Sequence, residues 1–302
     1  MEDPILRTNN FWIITLLVFV SGNILPQNTL GYSSKINNDE VKKYNAYRLG
    51  FLATSLSSAS KNLLNTVVNS SLNTNRRTYY VVRKAKKPVM IDGNWDKSDW
   101  RTVKAIRIDN FLGKVPSFKP TVQAKMMYDR HNIYVIFKVN DCFVRNVVEE
   151  YNGPVSGDAC VEFFFAPNNK QPDRYFNLEI NAGGTPKMAY HIFQQTGYQN
   201  VSIEDLREIE IAHSLPKKVD PEIEIPVSWT VEYKIPISIL EKYGSVIAPG
   251  RGVIWRANFY KTSSKSSNPH WMTWSAITDT TTRVKLGRFH QPDFFGQLNF
   301  KN

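Results

Sequence analysis

The sequence predicts an all-β domain, an antiparallel two-sheet β-sandwich of the jelly-roll or immunoglobulin-like kind, behind a mostly disordered N-terminal extension. Three observations predict it. Short runs rich in β-branched and aromatic residues recur from residue 79 onward. Gly, Pro, Asn and Asp punctuate them at close intervals. Helical periodicity is scarce, with a turn or two expected over 236–243 after Pro236.

From the N-terminus, residues 11–20 (Phe-Trp-Ile-Ile-Thr-Leu-Leu-Val-Phe-Val) form an apolar run. It is shorter than the roughly 20 residues that a membrane-crossing helix needs. Its length suits the apolar core of a signal peptide, with Arg7 before it and Ser21-Gly22 after it. Glu2 and Asp3 oppose that reading, because the leading segment should be positive. Residues 1–26 are therefore expected to be a signal peptide or a short membrane anchor, and the protein to be exported: secreted, cell-surface or periplasmic. Residues 27–78 are rich in Asn and Ser and read as a flexible spacer, in which Tyr44, Tyr47, Phe51 and Leu52 could line one side of a short helix. Residues 79–302 form the expected domain. Asn69-Ser70-Ser71 and Asn200-Val201-Ser202 are glycosylation acceptors in a eukaryotic host.

Strands are expected at 79–83, 121–128, 132–139, 159–166, 175–182, 187–193, 229–235, 253–260 and 296–300. Side chains alternate across a strand, so period two separates its faces. In 175–182, Phe176, Leu178 and Ile180 point one way, and Tyr175, Asn177, Glu179 and Asn181 the other. In 253–260, Val253, Trp255, Ala257 and Phe259 alternate with Ile254, Arg256, Asn258 and Tyr260. The 132–139 run is apolar on both faces, which predicts a central strand covered on both sides. Asn, Arg, Glu and Tyr on a shared face could hydrogen-bond sugar hydroxyls, or form an ordinary polar exterior.

The net charge is +11, but Lys and Arg are spread along the chain, and the densest run, Arg83 to Lys87, falls where the domain begins. No zinc-finger spacing, RNA-recognition signature or basic heptad accompanies it, so no nucleic-acid partner is expected. Aromatics make up 13% of the chain, enough to build a core and leave rings for a ligand surface. Cys142 and Cys160 are the two cysteines, without metal-ligand spacing. Either they form one disulfide, or Cys160 is a small buried hydrophobe and Cys142 a free thiol.

Three stretches then stand out together. They are Pro88-Val89-Met90-Ile91-Asp92-Gly93-Asn94-Trp95-Asp96-Lys97-Ser98-Asp99-Trp100, then Gly153-Pro154-Val155-Ser156-Gly157-Asp158-Ala159-Cys160-Val161-Glu162-Phe163-Phe164-Phe165, and finally the set Arg256 to Lys261, Pro269-His270-Trp271, Trp274-Ser275 and Phe289 to Leu298. In this order and spacing they resemble family 9 carbohydrate-binding modules, especially the family-9-like group of exported bacterial proteins, over residues 79–302. The resemblance implies a non-catalytic sandwich that grips a polysaccharide or the end of a glycan chain with aromatics and polar groups, supporting polysaccharide breakdown or attachment. It also implies calcium as a structural ion. One clamping tryptophan of the family falls at Ser156 and is absent; the other falls at Phe289. The family's strand carboxylate matches Glu162, a polar position on the next strand matches Glu179, and the late amide matches Asn258, with Tyr260 two residues on. Arg256, His290 and Trp271 complete the expected sugar-binding set, with Tyr175 or Tyr151 as further substitutes for the missing ring.

Each position also has a plainer reading. Glu162 could pair with Arg256 in the sheet. Asp92-Gly93 reads as a turn, Trp95, Trp100 and Trp274 as packing residues, and His270 as a loop-shaping residue. Three other functions compete with glycan binding. A haem between Met126 or Met127 and His191 would need an axial pair, and no haem is expected. A glycoside hydrolase would need two carboxylates flanking the scissile bond, drawn from Asp158, Glu162 and Glu179; no enzyme activity is expected, and the domain would act beside separate glycoside hydrolases. A structural or adhesion sandwich that has lost its sugar site is the third.

Overall fold

The computed structural model describes residues 78–192, 197–278 and 289–302. The expected signal peptide or anchor, nearly all of the spacer and the Asn69 acceptor lie outside the described residues. The strands are β1 (Tyr79–Lys84), β2 (Ile106–Ile108), β3 (Asn110–Phe111), β4 (Thr121–Tyr128), β5 (Asn132–Asp141), β6 (Val144–Asn146), β7 (Cys160–Ala166), β8 (Arg174–Asn181), β9 (Pro186–Ile192), β10 (Tyr198–Asn200), β11 (Glu210–His213), β12 (Val219–Ile223), β13 (Val227–Pro236), β14 (Ile254–Ser263), β15 (His270–Thr273) and β16 (Gly296–Lys301). Short helices α1 (Ser98–Arg101), α2 (Ile203–Arg207) and α3 (Ile237–Tyr243) interrupt them.

The all-β expectation holds, but the strands do not form two separate antiparallel sheets. They join in one mixed sheet of order β10-β9-β8-β7-β14-β16-β1-β4-β5-β13-β11, while β6 and β12 pair apart from it. The cause is β1, which pairs in parallel on both sides. Tyr79 to Arg83 lie in register with Gln297 to Lys301, and Arg83-Lys84 with Met127-Tyr128. The first strand of the domain thus closes the gap between the last strand and β4. Its alternation explains why it stays there: Tyr80 and Val82 are buried while Tyr79 is exposed.

The sheet curls so that its two halves pack against each other. Phe163, Phe165, Phe176, Leu178, Trp255 and Phe259 from one half share a core with Val135, Phe137, Trp229, Val231 and Tyr233 from the other. Phe137 and Phe259 meet across it with centroids 5.9 Å apart. As its sequence predicts, β5 is central, between β4 and β13. Ile133, Val135 and Phe137 enter the main core, and Tyr134 and Ile136 face a second cluster with Val89, Trp95, Trp100 and Val103. Trp95, Trp100 and Trp274 are all packing residues. Asp92-Gly93 is a turn, with Gly93 at φ +74°, a conformation that side chains with a Cβ disfavour.

Cys142 and Cys160 are both free, the first half-buried and the second buried. The Sγ of Cys142 contacts the Glu224 carbonyl at 3.3 Å.

Candidate functional site

The outer face of the β10-β9-β8-β7-β14 half carries the polar and aromatic side chains that the period-two reading separates from the core. Register sets them in rows. Tyr198, His191 and Tyr175 are cross-strand neighbours. Asn200, Ala189, Asn177, Phe164 and Asn258 form the next row. Lys187, Glu179, Glu162 and Tyr260 form the third.

Glu162 and Glu179 stand directly opposite each other, and both are buried. Directly opposed side chains on adjacent strands are close enough to interact. Burial, then the neighbouring Glu179 carboxyl, pushes the Glu162 carboxyl well above the usual carboxylate range. Glu179 is also raised by burial, with Lys187 opposing the shift. The Lys187 ammonium lies 3.7 Å from Glu179 Oε1. Asn177 Nδ2 donates to the same oxygen at 2.8 Å. Among the described residues Glu179 Oε2 is buried without a hydrogen-bond partner. Two carboxyls this close in a low-dielectric setting cannot both hold a charge cheaply, so at least one keeps its proton. A protonated carboxyl donates as well as accepts, which matches the dual capacity of a sugar hydroxyl.

The other predicted residues divide. Asn258 is fully buried; its Nδ2 donates to the Ser275 carbonyl at 2.9 Å, and its Oδ1 accepts from the Ser275 and Phe259 amides. Arg256 lies opposite Ala166, and its Nη2 donates to the carbonyls of Asp293 and Phe295, both at 2.9 Å. Glu162 instead has Glu179 and Tyr260 as cross-strand neighbours, so the register does not set it opposite Arg256, as the plainer reading of Glu162 would have it. The Tyr260 hydroxyl donates to the Phe289 carbonyl, and the two rings stack at 4.2 Å. Phe289 is 7% exposed. Trp271, half-buried on β15, packs against the same cluster of Leu112, Phe164, Tyr175, Tyr260 and Phe289. Tyr151 packs instead against the main core. The structure thus gathers Tyr260, Phe289 and Trp271 into one apolar block, with Glu162 beside Tyr260.

His290 sits over a wall of rings. Its Nδ1 is 2.9 Å from the Tyr175 hydroxyl, and its ring is 4.7 Å from His191 and 4.9 Å from Phe164. Burial, with the nearby His191 and Lys187, pulls the His290 imidazole down to about 3. Burial and Lys187 pull His191 down to about 4. Both rings are neutral at physiological pH. His191 and Tyr198 are members of the face that the sugar-site reading of the sequence omitted; the alternation of β9 could have placed His191, but the three-residue β10 gave Tyr198 no period to read.

Other expectations resolve by placement. His270 is not at a ligand surface: it is fully buried, with Nε2 2.8 Å from Lys261 Nζ and 3.8 Å from Asp141. Met126 lies in the main core and Met127 in the second cluster, whereas His191 is on the outer face, so the proposed haem pair is not brought together. Asp158 is committed to the backbone: its Oδ2 accepts from the Val147 and Val148 amides and from Asn181 Nδ2. Ser156 lies in a 3-10 turn (Val155–Gly157) beside this face. Among the described residues no cluster of three or more His, Cys, Asp or Glu is arranged to hold a metal ion.

Three comparisons bear on this face. The model of carbohydrate-binding family 9 matches residues 89–300. A crystal structure of a Bacteroides uniformis protein, provisionally described as carbohydrate-binding, is 29% identical, with a TM-score of 0.66 over 74% of this chain and 100% of that one. Family 9 modules from Caldicellulosiruptor kristjanssonii, solved with cellotriose and with glucose, are each 17% identical over 74% of this chain. Their TM-scores are 0.50 and 0.51, with 94% and 96% of those chains covered. No curated protein matches the chain.

Proposed function

The chain belongs to carbohydrate-binding family 9, and from that premise we propose that it binds a polysaccharide or glycan end, without catalysis, through the outer face of β10-β9-β8-β7-β14. The observation that carries this reading is the run of polar and aromatic side chains across that face, with Tyr198, His191 and Tyr175 in one row and Lys187 and Glu179 in another, of which Tyr198, His191 and Lys187 reach solvent. A sugar ring offers an apolar C–H face and a rim of hydroxyls. Aromatic rings take the first, and charged or amide groups the second. The cellotriose and glucose bound by the Caldicellulosiruptor modules support sugars of that kind as first ligands to test. In this reading the protein is exported, and its role is to hold a polysaccharide for separate hydrolases or for attachment.

The test is a glycan array probed with the full chain. Retention of one glycan class supports the reading. A blank array would favour the structural or adhesion module that has lost its site. The opposed Glu162 and Glu179 also prompt a check for hydrolysis. A retaining glycosidase places its two carboxyl groups about 5–5.5 Å apart on either side of the scissile bond. Here both project from adjacent strands toward the same side, and both are raised. Reducing-sugar release lost in Glu162→Gln would replace binding with catalysis.

A further inference from the structure

The outer face has a closed interior and an open margin. Asn258 and Tyr260 are wholly buried, and Glu162 is 2% exposed. At the β9–β10 edge, Tyr198 is 58% exposed, and Lys187 and His191 are half-buried. This margin is unusual for an exposed sheet edge, because its aromatic ring has a rigid support. Tyr198 stacks on His191 at 5.2 Å and 28°, and His191 on Tyr175 at 5.1 Å and 9°. Tyr175 is buried against Phe164 and Phe295. A three-ring column therefore ends in a solvent-facing tyrosine.

The polar groups of the margin have capacity to spare. The Ala189 amide donates to Asn177 Oδ1, which fixes that atom as the acceptor. His191 Nε2, 2.9 Å from the same oxygen, must then carry the proton and donate. That leaves His191 Nδ1 unprotonated and able to accept a hydrogen bond. Lys187 Nζ pairs with Glu179 Oε1 at 3.7 Å, and among the described residues this is its one polar partner, so its remaining N–H groups are available to a ligand. His191 and Lys187 are four residues apart on β9, a span of about 13 Å at roughly 3.3 Å per residue. One sugar ring cannot reach from Tyr198 to Lys187; a short chain of rings can.

We propose that the ligand is an oligosaccharide segment lying along β9, with one ring stacked on Tyr198, hydroxyls donated to His191 Nδ1, and a hydroxyl two or three units away held by Lys187. This rests on the carbohydrate-binding reading and adds to it a direction, a minimum length and a platform. Glu179 is a positioning residue in this arrangement, since it holds the Lys187 ammonium from below.

The experiment is calorimetry on the full chain with β-1,4-linked oligosaccharides of glucose, xylose, mannose and N-acetylglucosamine, one to five units long. For the sugar that binds, affinity should climb at least tenfold from one unit to three and then level off. Tyr198→Ala should abolish most of that climb with the melting temperature unchanged, Tyr198→Phe should keep it, and Lys187→Met should weaken the trimer more than the monomer. A wild-type affinity independent of length, or a Tyr198→Ala affinity equal to wild type at every length, would overturn the inference while leaving glycan binding intact. Failure of wild type to bind any of these sugars and any array glycan would overturn the family-based reading as well, and the inference with it.

Discussion

Trp100 donates its indole Nε1–H to Glu232 Oε1 at 2.7 Å, with both side chains fully buried. The other carboxylate oxygen of Glu232 accepts from the Asp92 and Gly93 amides at 3.0 and 2.8 Å and from Lys97 Nζ at 2.8 Å. One residue of β13 thus anchors the whole Asp92-to-Trp100 segment, which covers the outer side of β5. Removing one partner of a buried charged network leaves the rest unsatisfied. Glu232→Ala should therefore cost on the order of 3–5 kcal/mol, read by urea unfolding. A cost below about 1 kcal/mol, in the range of an exposed pair, would show that the segment docks by apolar packing alone.

Asn258 should behave as a structural residue. It ties β14 to Ser275 with two hydrogen bonds, accepts a third from the Phe259 amide, and has no exposed surface. Asn258→Ala should destabilise by about 1–3 kcal/mol through groups left unpaired. Any loss of sugar binding should appear together with a lower melting temperature. A fully stable variant that loses only binding would return Asn258 to the ligand surface.

Glu162 should destabilise the fold at neutral pH. Its carboxyl is raised in the folded state above the ordinary value of 4.5. The folded protein then binds the proton more tightly than the unfolded chain does. This contribution is fully present below about pH 4.5 and is lost as pH rises through the folded value. Glu162→Gln, which stays neutral, should melt higher than wild type at pH 8 and close to it at pH 4. Equal melting temperatures at pH 8 would show that the carboxylate is well solvated.

His270 runs the other way. Burial, with the adjacent Lys261, lowers it from 6.5 to about 3. Its stability contribution is full above about pH 6.5 and is lost as pH falls toward 3. Melting curves from pH 7 to 4 should fall less steeply for His270→Gln than for wild type, although the variant starts lower. Identical slopes would place the acid sensitivity elsewhere, with His191 and His290 next to be tested.

The two thiols should differ in reactivity. Cys142 is half-buried and Cys160 buried, and burial raises the Cys160 thiol well above its usual range. A thiolate reagent should modify one cysteine per native chain and two after unfolding. Two reactive thiols in the unfolded chain under non-reducing conditions distinguish this from a disulfide, which would give none.

Much of the β architecture was legible because alternation and turn residues are local. Phe176, Leu178 and Ile180 face inward and Tyr175, Asn177 and Glu179 outward, as their spacing requires. The short pieces were not legible: β2, β3, β6, β10, β11, β12 and β15 span two to five residues, too few for a period to emerge. The candidate site was legible only as a list of residue types on strands. Glu162 and Glu179 come together because β7 and β8 pair in one register, and no periodicity within either strand states that register.

The sequence by itself determined which of the longer segments are strands, which face of each is apolar, and which family the ordered motifs resemble, because each of these depends on residues near one another in the chain. Tertiary structure alone decided that β1 joins the halves in parallel, that Glu162 lies opposite a second carboxyl rather than Arg256, and that Asn258 and Tyr260 are closed off while Tyr198 is open. Pairing and burial are properties of what lies alongside a strand and over it, and those neighbours are brought there from far along the chain.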